Sequence, residues 1–238
     1  MSTPLLFQKN LFWESDTKSI ETLSRYFDVQ EITPEEIILT PQSWEGEFRG
    51  SLFLASKLSR TEAWTNAINW APKLRKEMVS PHFHFQSLDY LLETETNWPK
   101  FVRPASGNKI FSGNVHTKET LSIEREFLLQ KNVEDTLLTL IAPPVSIEKE
   151  WRLVFIANQY ISGSQYMENN QISISPEIPP HVIEYGKFLF EKLHHPWIVI
   201  DVGSIQNKLC LIEINQIETS SFYAADLDKI YKTWKQNA

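Results

Sequence analysis

Trp197-Ile198-Val199-Ile200-Asp201-Val202 and Leu209-Cys210-Leu211-Ile212-Glu213-Ile214-Asn215 are two apolar runs joined by a polar turn near Gly203 to Lys208, and each carries an acid inside it. Runs of this kind read as a β-hairpin. If the pairing is symmetric about residue 207, Asp201 lies opposite Glu213, and Asn215 shares their face because strand side chains alternate. Directly opposed Cβ atoms stand about 4.5–5.5 Å apart, so two carboxylates there repel unless a cation sits between them. Ionised groups inside apolar runs are costly to bury unpaired, which argues against two idle surface acids. Carboxylate and amide oxygens without histidine or thiolate suit a hard ion, Mg²⁺ or Mn²⁺, of the kind that bridges substrate phosphates.

Outward from the hairpin, the chain reads as an α/β protein. Glu150 to Ile156 is a strand that turns at Asn158 into a second one, Tyr160 to Ser164. Pro179-Pro180 starts a helix whose apolar stripe is Val182, Gly186, Leu189 and Leu193, and a closing amphipathic helix spans Asp226 to Lys235. Toward the N-terminus come a buried strand at Leu137–Ile141 stopped by Pro143-Pro144, and a charged helix from Thr117 to Leu129. Strands at Lys100–Arg103 and Lys109–Phe111 flank the loop Pro104-Ala105-Ser106-Gly107-Asn108. The first part predicts a strand at Leu5–Phe7, a helix after Ser15, a strand at Ile37–Thr40 closed by Pro41, and a helix at Leu88–Leu92. The weakly patterned Glu93–Pro99 marks a boundary.

The 238 residues, 42% apolar, are enough for one large or two small domains. A net charge of −7 argues against coating nucleic acid or an anionic membrane through bulk charge. One cysteine, Cys210, excludes a disulfide framework and a cysteine-rich metal centre and fits a reducing, cytoplasmic setting. The start of the chain does not read as a signal peptide, and no apolar run is long enough for a transmembrane helix.

Cations for a phosphate are at hand in Arg103, at a strand end, and Lys109, after a loop whose Gly107 lets backbone approach a ligand. Glu150 and Arg152 are two apart on one strand, so an acid and a base face the same way. Neither a Gly-x-x-x-x-Gly-Lys-Ser/Thr loop nor a Gly-x-Gly-x-x-Gly turn is present, and no Gly-x-Ser-x-Gly elbow offers a serine nucleophile. His82 and His84 could share a strand face but have no third ligand in view. His194-His195 suits a helix C-terminus, and Cys210 suits the core.

Taken in order, Arg103 and Lys109, the strand end Leu140-Ile141-Ala142-Pro143-Pro144, Glu150-Trp151-Arg152, Asp201 and Glu213-Ile214-Asn215 resemble the ATP-grasp superfamily, over about Phe101 to Tyr223. More narrowly the chain is similar to a bacterial and phage clade with arginine at the usual first lysine. The resemblance implies an ATP-grasp fold with an N-terminal pre-ATP-grasp α/β domain at 1–96, a small lobe at 97–143 and a large lobe with the metal site at 144–238. It implies that ATP lies between two lobes, with Arg103 and Lys109 on its phosphates, Leu140, Ile141 and Ala142 at adenine, and Glu150 on the ribose. Arg152 would face the γ-phosphate or acyl-phosphate, and Asp201, Glu213 and Asn215 would hold Mg²⁺ or Mn²⁺. Ser221 and Tyr223 would face substrate, with Phe222 standing where the clade's run has a glycine. The implied reaction is ATP-dependent carboxylate–amine ligation through an acyl-phosphate, with Arg152 and Lys109 as catalytic residues. Its substrates would be a carboxylate and an amine on a small molecule, peptide or protein terminus. The alternatives are a non-catalytic nucleotide-binding module and a metal-dependent phosphohydrolase.

Overall fold

The computed structural model describes residues 3–39, 44–131, 133 and 136–238. The chain opens with β1 (Pro4–Gln8), α1 (Asp16–Leu23), β2 (Asp28–Ile32), β3 (Glu47–Arg49) and α2 (Leu52–Lys57). The strand expected at Ile37–Thr40 is not formed: Glu36–Leu39 is a single 3-10 turn, and Thr40 and Pro41 lie outside the described residues. Local bonds favour the turn, since the Thr33 N–H donates to the Glu36 carboxylate (2.8 Å) and the Glu36 N–H to the Thr33 carbonyl (3.2 Å).

There follow α3 (Ala67–Trp70), β4 (His84–Ser87), α4 (Leu88–Thr94), β5 (Lys100–Pro104), β6 (Asn114–His116), α5 (Lys118–Gln130) and β7 (Leu138–Ala142). The strand expected at Lys109–Phe111 is found instead at 114–116, because Lys109 has a φ of 44° and left-handed backbone does not continue a ladder. The last stretch is β8 (Lys149–Ile156), β9 (Gln159–Glu168), β10 (Gln171–Ser175), α6 (Pro180–Leu193), β11 (Ile198–Ile205), β12 (Lys208–Asn215) and α7 (Leu227–Asn237). Three hairpin turns use two left-handed residues each, Ala157-Asn158, Asn169-Asn170 and Gln206-Asn207. Such turns match the twist of the flanking strands, and asparagine tolerates the conformation without glycine.

The chain forms two compact units, one of Met1–Thr61 with Ile147–Ala238, the other of Glu62–Ser146. In the first, a parallel sheet of order β2-β1-β3 accompanies an antiparallel sheet of order β10-β9-β8-β11-β12. α6 lies on one face of the larger sheet, where a Cβ on Gly186 would meet Leu153 and the rings of Phe155 and Phe190 stack at 4.7 Å. The other face contributes Val154, Ile156 and Val199 to a core with Leu5 and Phe7 of β1 and Ile230, Tyr231 and Trp234 of α7. Arg152 and Asp201 alternate onto this second face. The second unit is a four-stranded sheet of order β4-β7-β5-β6 over a core of Leu88, Leu91, Val102, Leu121 and Ile141. Among the described residues no helix is long and apolar enough to cross a membrane.

Candidate functional site

Two β-bulges aim the side chains of the site. The β11–β12 turn has two residues, not the odd number that symmetry about residue 207 requires, so Ile205 pairs with Lys208. Continued unbroken, that register would set Asp201 against Ile212. Ile212 is instead an extra residue in β12, and the pairing moves from Val202–Leu211 to Asp201–Glu213. In β9, Tyr166 is the extra residue, between Gln165 opposite Trp151 and Met167 opposite Glu150.

Asp201 is also paired with Arg152 across β8 and β11. The guanidinium grips Asp201 with two bonds, Nε to Oδ1 at 2.8 Å and Nη2 to Oδ2 at 2.7 Å, and lies 4.0 Å from Glu213. Its third nitrogen donates to the Ser221 carbonyl at 3.1 Å. Burial alone would lower the Arg152 pKa, but the charge and hydrogen bonds of Asp201 more than offset it and hold it well above the ordinary value. Asn215 Nδ2 donates to Asp201 Oδ2 (3.3 Å) and Glu213 Oε1 (3.0 Å), so the three oxygen-bearing side chains converge. Glu150 accepts from the Tyr166 hydroxyl at 2.6 Å. Burial first, and then the charges of Asp201 and Glu213, raise the Glu150 carboxyl.

Past β12 the chain is held from beneath. Arg49 and Glu14 form a fully buried ion pair, and Arg49 donates to the carbonyls of Ser220 (2.9 Å) and Ile217 (3.4 Å). Glu14 also accepts from the Phe222 N–H at 3.0 Å. The Arg49 guanidinium lies between the rings of Phe12 (3.8 Å) and Phe222 (4.0 Å). Phe222 is thus a core residue, and the left-handed residue of the run is Tyr223, with φ 55°. Such a conformation costs an aromatic residue about 1–3 kcal/mol and persists where surroundings impose it. Here the Ala224 and Asp226 N–H groups donate to the hydroxyls of Ser164 (3.2 Å) and Ser162 (2.9 Å), and the Tyr223 ring stacks on Tyr166 at 5.0 Å.

A family model described as an ATP-grasp domain, R-to-K clade family 2, matches residues 82–233. The chain belongs to this family of ATP-grasp domains. Its fold is the ATP-grasp fold, and solved structures share it at low identity. The D-cycloserine synthetase DcsG aligns at 11% identity over 98% of both chains with a TM-score of 0.63. A RimK domain ATP-grasp protein from Sphaerobacter thermophilus aligns at 12% identity over 99% of this chain and 95% of its own, TM-score 0.58. The ATP-grasp ligase PsnB, complexed with a minimal precursor, aligns at 10% identity over 100% and 99%, TM-score 0.57. No curated protein matches.

In this ATP-grasp chain, then, one unit brings together Glu150, Arg152, Asp201, Glu213, Asn215, Ser221 and Tyr223. In the other, Arg103 of β5 pairs with Leu140 of β7, beside Ile141 and Ala142, and all four are buried. Lys109 is exposed on the following loop. The room at Gly107 is taken by the Thr65 side chain, and its N–H donates to Asn66 at 2.6 Å, so that glycine serves packing and not an approaching ligand. His82 and His84 are exposed, and no cluster of three His, Cys, Asp or Glu residues occurs among the described residues. Burial pushes the Cys210 thiol up to about 12, as befits a core residue. Sequence reasoning missed Tyr166, Glu14 and Arg49. The first depends on a bulge, and the pair joins positions far apart in the chain.

Proposed function

We propose that the protein is an ATP-dependent carboxylate–amine ligase acting through an acyl-phosphate. The observation that carries this reading is the convergence of Asp201, Glu213, Asn215, Arg152 and Glu150 on one sheet face in a chain of the ATP-grasp family. Two carboxylates and an amide oxygen are the hard donor set that Mg²⁺ or Mn²⁺ takes, once Asn215 turns its carbonyl oxygen toward the acids. When bound there, the ion would bridge phosphate oxygens and draw off their charge.

Arg103 and Lys109 are assigned to the ATP phosphates, the backbone of Leu140, Ile141 and Ala142 to adenine, and Glu150 to the ribose hydroxyls. Arg152 is oriented by Asp201 on one edge and the Ser221 carbonyl on another, which fixes a planar, permanently charged group where the γ-phosphoryl would transfer. A carboxylate oxygen attacks the γ-phosphorus and ADP leaves. The amine nitrogen then attacks the acyl carbon, phosphate leaves, and the nitrogen loses its proton to water. Such transfer is mostly positioning and electrostatics, which suits a site without a protein nucleophile.

The test is ADP formation from Mg-ATP across carboxylates and amines, with hydroxylamine trapping the acyl-phosphate as a hydroxamate. Release that requires the carboxylate supports ligation. ATP consumption indifferent to every carboxylate would mean a phosphohydrolase, and nucleotide binding without turnover a binding module. Arg152→Lys should lower turnover at least about tenfold, or about 1.4 kcal/mol, with a smaller change in ATP affinity.

A further inference from the structure

The small parallel sheet has β1 in the middle, so the chain leaves β1 toward one side and returns as β3 on the other. The gap between β1 and β3 at their carboxyl ends is a topological switch point, where open α/β sheets bind ligands. The segment leaving β1 there exposes two large apolar side chains, Leu11 (39%) and Trp13 (54%). Trp13 is continuous with the site: its N–H donates to the Ser221 hydroxyl at 3.2 Å, and its ring lies 6.3 Å from that of Tyr223. The Tyr223 ring in turn lies 5.3 Å from the Arg152 guanidinium carbon. The other side of the gap is closed by the same loop, because the Gly50 N–H donates to the Glu218 carbonyl at 3.0 Å just after β3.

We propose that this crevice takes the side chain of the carboxylate substrate, that the side chain is aromatic or large and aliphatic, and that Trp13 selects it. The inference rests on the ligase reading, which puts the carboxylate beside Arg152. From there a side chain runs over Tyr223 toward Trp13 and Leu11. The ionised groups beneath, Glu14 and Arg49, satisfy each other and the loop backbone, so a charged side chain finds no partner in them. An exposed indole beside a tyrosine held in left-handed backbone is a rigid apolar wall, which rewards shape and area.

The experiment measures hydroxamate formation by the full-length protein with Mg-ATP, hydroxylamine and free or N-acetylated phenylalanine, tryptophan, leucine, alanine, aspartate and lysine as carboxylates. Phenylalanine, tryptophan and leucine derivatives should exceed alanine at least tenfold in kcat/KM. Trp13→Ala should raise KM for the aromatic carboxylates at least tenfold and for alanine less than twofold, and Trp13→Phe should restore the preference. The indole N–H resonance of Trp13, assigned by its loss in Trp13→Phe, should shift on adding N-acetylphenylalanine. A preference for small or charged side chains, or one that Trp13→Ala leaves in place, overturns this inference while the ligase reading stands. Nucleotide binding with no hydroxamate from any carboxylate overturns both.

Discussion

Replacing Asp201 by asparagine separates two descriptions of the acid pair. If Asp201 and Glu213 simply repelled each other, removing one charge would stabilise the ligand-free protein. The structure gives Asp201 a bidentate guanidinium partner, with side-chain exposures of 1% for Asp201 and 11% for Arg152. Removing one member of a buried pair strands the other charge, and costs about 3–5 kcal/mol. For a domain of this size that corresponds to a fall in Tm of roughly 6–20 °C, at about 2–4 °C per kcal/mol. Glu213→Gln should cost about 1 kcal/mol or less, because the new amide still accepts from Asn215 and Arg152 keeps Asp201. A double-mutant cycle with Arg152→Met, read by urea denaturation, should return a coupling energy of about 2–3 kcal/mol between Asp201 and Arg152. Equal stability of Asp201→Asn and wild type, or a coupling near zero, would refute the ion-pair account and return the acids to mutual repulsion.

Glu150 supplies a pH test. Its raised pKa means that the unfolded chain releases the proton first, so stability falls as pH rises from about 4.5 to the folded-state value and then levels. Glu150→Gln should therefore melt above wild type at neutral pH and lose that advantage at acid pH, as thermal melts across the range would show. Glu14→Gln leaves the Arg49 guanidinium buried without its charge partner and should destabilise by about 3–5 kcal/mol, measured by urea unfolding. Gly163→Ala would press a Cβ to 2.5 Å from the Arg152 carbonyl, a backbone atom that cannot swing aside, and should cost about 1–3 kcal/mol by the same measurement. Lys109→Ala should weaken ATP binding more than adenosine binding in calorimetry, since it removes a charge-assisted phosphate contact. Equal loss for both ligands would show that Lys109 acts on folding.

Patterns along the chain were enough for the α/β class, the hairpin with Asp201, Glu213 and Asn215 on one face, and helices at α1, α4, α5, α6 and α7. Local rules suffice there: alternation marks the strands, and a cap or proline marks where most of the helices begin. Where those rules failed, a local bond or backbone angle intervened, as at the Thr33–Glu36 turn and at left-handed Lys109. Contacts between distant segments settled the rest. Residues 1–61 join 147–238 because β1 and α7, at opposite ends of the chain, bury one core, and no spacing along the sequence records that. The bulge at Ile212 corrected a turn one residue shorter than expected, so the right pair of acids met for a reason the symmetric hairpin did not contain. That Arg152 neutralises Asp201, that Tyr166 reaches Glu150, and that Glu14 and Arg49 hold the 217–222 loop are contacts between strands and loops far apart in sequence. Each charge there is buried, and a buried charge is fixed by the partner it finds in space and not by its neighbours in the chain.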